Sequence, residues 1–70
     1  MNRFLIVFEK AEDNWAAYSP DLPGCVATGS TREETEANMY EAVQFHVEGL
    51  REDGARIPEG HSFAEVFAIS

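Results

Sequence analysis

The sequence predicts a single α+β domain with the element order β-β-β-α-β, and three observations support this fold class. Several short runs rich in aromatic and β-branched residues are separated by turn-forming residues, as is typical of strands. One long segment repeats its apolar residues at steps of three and four, as is typical of an amphipathic helix. The chain has 70 residues, of which 44% are hydrophobic, and this is enough for one small core.

The first two strands are predicted on either side of a charged turn. Residues 4–8 are five consecutive apolar residues that a charged segment closes, which favours a central strand. Residues 11–14 then form a hairpin turn. Residues 15–19 form the second strand, which must end at Pro20 because proline lacks a backbone donor and disfavours helix in the residue before it.

The strongest turn signal in the chain lies at residues 20–24. Pro20 and Pro23 fix the backbone, Asp21 is a residue type favoured in turns, and Gly24 permits an unusual dihedral angle. Residues 25–28 form a short third strand after this turn. The three strands therefore make an antiparallel meander.

A long helix is predicted at residues 32–53. Thr31 and Glu34 fit a capping box at its start, and Gly54 is placed to cap its end in a left-handed conformation. The apolar positions that recur along it, and that we expect to face the core, are Ala37, Tyr40, Val43, Val47 and Leu50, with Met39, Ala42 and His46 on the adjoining stripe.

Residues 55–61 are predicted to be a connector, and residues 63–69 a fourth strand. A strand that returns after a helical crossover normally runs parallel to the strand it joins, so the fourth strand is expected beside the first, in the order 3-2-1-4. One helix then covers one face of the sheet. The side chains on both sides of the first strand are bulky and apolar. We therefore expect the other face of the sheet to be buried by a second copy of the chain, in a homodimer or higher oligomer.

The charge of the chain bears on its partners. Thirteen acidic residues against five basic ones give a net charge of −8, which opposes direct binding to nucleic acid and favours a basic protein partner. The alternative is that the acids only keep a small protein in solution. Cys25 is the only cysteine, so no intramolecular disulfide is possible and a cytoplasmic location is expected. The apolar run at residues 4–8 is too short for a signal peptide or membrane span.

No pattern for catalysis, metal binding or a cofactor is found in the sequence. His46, His61 and Cys25 lack the paired spacing of metal ligands, and Cys25 has no evident activating partner. A two-metal nuclease needs acids that converge from several elements. The first strand has Glu9 only at its end and the last strand has only Glu65, so we expect no enzyme.

Four residues are candidates for contact with a partner. Trp15 and Tyr18 are amphipathic aromatic residues, a type enriched at interfaces, and Asp21 and Leu22 follow them in the adjacent turn. The alternative is that the two aromatic rings simply pack in the core, since such rings bury a large area.

Most of the chain resembles one protein family. Residues 18–29 read Tyr-Ser-Pro-Asp-Leu-Pro-Gly-Cys-Val-Ala-Thr-Gly and are followed by Thr-Arg-Glu-Glu at residues 31–34 and Glu-Ala-Asn at residues 36–38. This series is similar to the signature of HicB-type antitoxins, also grouped as the HicB-like (UPF0150) family. The resemblance implies a truncated RNase H-like fold that has lost catalysis. It also implies a module that binds and neutralises a small HicA-type toxin, an mRNA-cleaving protein of double-stranded-RNA-binding fold.

Residues 1–70 end directly after the predicted fourth strand, so we expect one HicB-like domain without the C-terminal DNA-binding segment that family members often carry. Two other functions remain open at this point. One is an orphan structural homo-oligomer without a heterologous partner, and the other is a vestigial RNase H-like, metal-dependent nuclease.

Overall fold

The computed structural model describes residues 2–70 and has an α+β fold. Within that range, strands Val7–Lys10 (β1), Trp15–Tyr18 (β2) and Val26–Gly29 (β3) are followed by one helix, Arg32–Glu52 (α1). The strands form an antiparallel sheet in the order β1-β2-β3. The predicted meander and the long helix that follows it are therefore confirmed.

Strand β1 begins and ends later than the sequence predicts. The ladder with β2 runs from the pair Val7 and Tyr18 to the pair Lys10 and Trp15. A turn closes it, in which the Ala11 amide donates to the Asn14 carbonyl at 2.8 Å. The register of a hairpin is set by its turn and not by hydrophobicity alone. The tight turn therefore extends the strand pairing to the charged end of β1.

The fourth strand predicted at residues 63–69 is wrong for the described chain. This segment has no strand pairing, and its large apolar side chains are 73–96% exposed. The order 3-2-1-4 is therefore not observed within residues 2–70. Alternating apolar residues show a propensity for strand, but a strand also needs a neighbour for its backbone groups. We call residues 63–69 the apolar arm.

The core lies between the sheet and one face of α1. Its buried apolar side chains are Ala17, Leu22, Cys25 and Met39. Helix α1 packs mainly against β3 and, to a lesser extent, β2. The half-buried residues that surround this core are Phe4, Ile6, Phe8, Ala27, Ala42 and Val43.

The buried face of α1 departs from the predicted stripe in its N-terminal half, whereas Val43, Val47 and Leu50 of that stripe are buried or half-buried. Thr35, Met39 and Val47 are the buried helical residues, whereas Ala37 is exposed and Tyr40 is 67% exposed. A cause is the close approach of α1 to β3 at Gly29, where an added Cβ atom would lie only 2.6 Å from the Thr35 hydroxyl. The first turn of α1 is thus fixed with Thr35 facing the sheet. This orientation also turns the adjoining stripe towards the core.

Side-chain hydrogen bonds fix the start of α1. Thr31 is the N-cap residue, and its hydroxyl accepts from the Glu34 amide at 3.0 Å. The Glu34 carboxylate accepts from the amide of Ser30, one residue before the partner in an ideal capping box. The Thr35 hydroxyl donates to the Thr31 carbonyl at 2.7 Å. These bonds fix the point at which the chain turns from β3 into the helix.

Helix α1 ends in a Schellman motif. Gly54 has a φ of 69°, and its amide donates to the Arg51 carbonyl at 3.1 Å. The Ala55 amide donates to the Leu50 carbonyl at 2.9 Å. This pair of bonds satisfies carbonyls that the helix leaves free.

Candidate partner-binding surface

Asp21 lies in the turn between β2 and β3 and joins three distant segments. One carboxylate oxygen, Oδ2, accepts from the Leu5 amide at 2.9 Å. The other, Oδ1, accepts from the amides of His61 at 3.2 Å and Ser62 at 3.0 Å. Hydrogen bonding, first from the Leu5 amide and then from Ser62 and His61, lowers the pKa of Asp21 from 3.8 to about 2. The carboxylate is therefore ionised at neutral pH and already committed within the fold.

The rest of this turn is also held by internal bonds. Leu22 is fully buried at 0% exposure, and its amide donates to the Ser19 carbonyl at 3.2 Å. Pro20, Pro23 and Gly24 are exposed, and Gly24 has a φ of 84°. The turn thus inserts Leu22 into the core and keeps its prolines outside.

Two of the four candidate residues lie inside the fold, and the other two are at least partly accessible. Leu22 and Asp21 were expected to touch a partner, but both are buried in the described chain, because one fills the core and the other binds backbone amides. Trp15 is half-buried and shares the helix side of the sheet with Ala17, by the alternation of β2. Tyr18 is 39% exposed and lies on the opposite side.

The sheet side that faces away from α1 carries an apolar row. Val7, Tyr18 and Val26 pair directly across the three strands. Tyr18 and Val26 are 39% and 64% exposed. The neighbouring row is Glu9, Ala16 and Thr28. We call this side, defined by these six residues, the back face.

Val7 and Val26 were not among the candidate residues derived from the sequence. Their shared position depends on the register of both hairpins, which places residues from three separate strands in one row. The alternation within a strand shows only which of its residues share a side of the sheet. It does not show which residues of the neighbouring strands lie opposite them. The back face is therefore a property of the assembled sheet.

Exposed acidic residues cover the outer side of α1 and the first hairpin. All of the acidic residues on α1 are exposed, as are those of the first hairpin. They are Glu33, Glu34, Glu36, Glu41, Glu48 and Glu52 on the helix and Glu9, Glu12 and Asp13 on the hairpin. With only five basic residues in the chain, this surface complements a cationic one.

The groups considered for chemistry are scattered. Cys25 is 4% exposed, and burial raises the pKa of its thiol, which keeps it protonated. His46 is half-buried in α1, and His61 is exposed, with Nε2 lying 3.6 Å from Oε2 of Glu59. Among residues 2–70, no three His, Cys, Asp or Glu side chains are grouped so as to hold a metal ion. In the same range, no helix combines the length and apolar character needed to cross a bilayer.

Comparison with known proteins gives one family match over almost the whole chain. Residues 4–69 match the family model described as the HicB-like antitoxin of bacterial toxin–antitoxin systems. No solved structure matches the chain.

Three curated relatives illustrate the range of the similarity. An uncharacterised 14.9 kDa protein from the rep–hol intergenic region of Haemophilus phage HP1 is 39% identical over 56 residues, which are 80% of this chain and 42% of that protein. Antitoxin HicB 2 of Photorhabdus laumondii is 35% identical over 91% of this chain and 49% of its own length. A UPF0150 protein of Thermoplasma acidophilum is 30% identical over 86% of this chain and 88% of its own length. The chain thus spans less than half of the first two relatives and most of the third.

Proposed function

This chain belongs to the family of HicB-like antitoxins of bacterial toxin–antitoxin systems, and we propose on that basis that it is a non-catalytic module that binds and neutralises a small toxin. The observation that carries the proposal is the family match over residues 4–69. The toxin would be a basic, mRNA-cleaving protein of the HicA type, and the complex would form in the cytoplasm. The domain itself would not contact nucleic acid, since its net charge of −8 repels phosphates.

The back face is the surface that best fits such a partner. It presents Tyr18 and Val26 as exposed apolar groups, and the exposed acid Glu9 lies in the neighbouring row. An apolar centre with a charged rim is the usual anatomy of a specific interface. The rim would steer a cationic toxin and the centre would retain it.

The direct test uses the product of a short basic reading frame next to the gene for this chain. We expect a stable complex with this product and loss of its mRNA cleavage when the two proteins are mixed. Failure of every such basic product to bind, measured by calorimetry with folded proteins, would overturn the proposal.

A pair of variants tests the back face separately. Val26→Glu places a charge where the side chain is already 64% exposed, so the fold should persist while affinity for the toxin falls by about thirtyfold or more, as for an interface hot spot. Gln44→Glu on the exposed side of α1 is the matched control and should bind normally. If both variants bound the toxin with equal affinity, the binding site would not lie on the back face.

The other two functions receive no comparable support. Glu9 and Glu65, the acids considered for a nuclease, are both exposed, and Glu65 lies in the apolar arm. No metal-holding group forms around them in the described part of the chain. A homo-oligomer without a heterologous partner would leave the family match over residues 4–69 without a functional meaning.

A further inference from the structure

An apolar groove runs along the outer edge of the sheet, between β1 and α1. Because α1 lies mainly over β3 and β2, the side of the core next to β1 is left open. The groove has a volume of about 400 Å³. The apolar residues that line it are Phe4, Ile6 and Phe8 from the sheet side and Met39, Tyr40 and Val43 from the helix side.

The backbone at this edge is also without a partner strand. Strand β1 is an outer strand of the sheet among the described residues. The amides of Leu5 and Ala11 point towards the β2 side, since they donate to Asp21 and to Asn14. Backbone direction alternates along an extended chain, so the amides of Phe8 and Lys10 point outward. An exposed row of this kind is a template for another strand.

The apolar arm has the properties of the missing strand. Its root is fixed, because Asp21 binds the amides of His61 and Ser62. Beyond this point Phe63, Val66, Phe67 and Ile69 are 73–96% exposed. The molecule measures 47 × 27 × 18 Å, and a seven-residue arm, when fully extended, is about 23 Å long. Phe63 and Ala64 lie beside Phe4 and Leu5 of the same chain, but no residue of the arm lines its own groove.

We propose that the apolar arm of one protomer adds as a strand to the β1 edge of a second copy, and that two such exchanges form a symmetric homodimer. The arm and residues 4–10, which contain β1, are each seven residues long. Exchange of an identical element between protomers is a low-cost route to a dimer, because it uses contacts that the chain already encodes. The proposal is independent of toxin binding, and its tests contain no toxin.

The alternation of the arm indicates which side chains enter the groove. Glu65 shares one side with Phe63, Phe67 and Ile69. A carboxylate is costly in an apolar groove, so this side faces outward, next to the back face of the second copy. The side chains directed into the groove are Ala64, Val66 and Ala68.

The first measurement is the mass of the chain by sedimentation equilibrium over a roughly hundredfold range of protein concentration. We expect twice the monomer mass of 7.8 kDa at the upper end and a larger dimer fraction at high salt, because each protomer carries a charge of −8. A monomer at all concentrations and at both low and high salt would overturn the proposal.

Complementation distinguishes exchange between copies from closure of the arm onto its own edge. Val66→Glu disables the arm and Tyr40→Glu disables the groove; both side chains are exposed, at 96% and 67%, so the monomer should keep its fold. Each variant alone should weaken dimerisation by about thirtyfold or more. An equimolar mixture should recover a one-to-one heterodimer, because an intact arm then meets an intact groove. If the mixture stays monomeric while the parent chain is dimeric, strand exchange is wrong.

Two controls complete the test. Ala11→Asp adds a charge at an exposed position of the hairpin turn and should leave the dimer intact. Amide hydrogen exchange should show protection at Phe8 that increases with protein concentration in the parent chain. Protection that is independent of concentration would mean closure within one protomer and would also overturn the proposal.

Discussion

At the scale of single residues, Asp21 shows how much a turn residue gains from the fold around it. Its place in a Pro-Asp-Leu-Pro-Gly sequence predicts a local turn, since aspartate accepts hydrogen bonds from nearby amides. The structure adds partners from far along the chain, at Leu5, His61 and Ser62. No local pattern identifies such partners, so the role of Asp21 as a link between segments could not be predicted from the sequence.

Replacement of this aspartate should change the acid stability of the protein. Because the pKa of Asp21 falls from 3.8 to about 2 on folding, its contribution is fully present above pH 3.8 and is lost as the pH drops through about 2. We expect Asp21→Asn to have a lower Tm than the parent at neutral pH, with a difference that shrinks below pH 3.8. Circular dichroism melts across this range measure the effect. Asp13→Asn, in the exposed hairpin turn, should show no such convergence.

Gly60 gives a second prediction at this scale. A Cβ atom at this position would collide with the carbonyl of Arg3 and lie 3.3 Å from Asp21 Oδ2. Gly60→Ala should therefore destabilise the fold by about 1–3 kcal/mol, as overpacking does. Gly49→Ala is the matched control: no atom lies within 4 Å of its added Cβ, and the loss of helical glycine should stabilise by about 0.5–1 kcal/mol. Urea unfolding compares the two, and equal effects would contradict the argument.

At the scale of elements, the sequence predicts best what is decided locally. Helix α1 was predicted at residues 32–53 and is observed at Arg32–Glu52, because caps and apolar periodicity lie within the segment itself. The strands were placed within a few residues, since turns fix them. The prediction of a fourth strand was wrong because a strand needs the edge of a neighbouring strand to pair with. The sequence of the apolar arm alone does not show whether such an edge is within reach.

The N-cap of α1 provides a prediction at this scale. Thr31→Ala removes the acceptor for the Glu34 amide and should lower the free energy of unfolding by about 1 kcal/mol, as loss of a capping hydroxyl does. Thr31→Ser retains the hydroxyl and should restore most of the stability. If alanine and serine were equally destabilising in urea titrations, the methyl group and not the cap would be responsible.

At the scale of the whole molecule, the two main features are the acidic surface and the side of the sheet that the helix does not cover. Exposed acids lie on α1 and on the first hairpin, and this single helix covers one side of the sheet in the described chain. The sequence predicted both the acidic surface and the uncovered side, because they follow from composition and element count. It did not predict the lateral position of α1 over β3, which follows from close packing at Gly29 and Thr35.

The same charge should make the stability depend on salt. A net charge of −8 on 70 residues destabilises the compact state through self-repulsion, and added salt screens it. We expect the Tm to rise with NaCl at low protein concentration. A double variant, Glu41→Lys with Glu48→Lys, halves the net charge of −8 at exposed positions and should flatten this dependence. A parent Tm that does not change with salt would contradict the argument.

The single carboxylate that receives amides from residues 5, 61 and 62 has a dynamic consequence. The stretch that leads into the sheet and the stretch from which the arm departs are held by the same side chain, so a displacement of Asp21 frees both of them. Their amides should then become accessible to solvent in one shared opening event, with similar free energies, and not as two independent frayings. A protease that cuts at one stretch would meet the other already released.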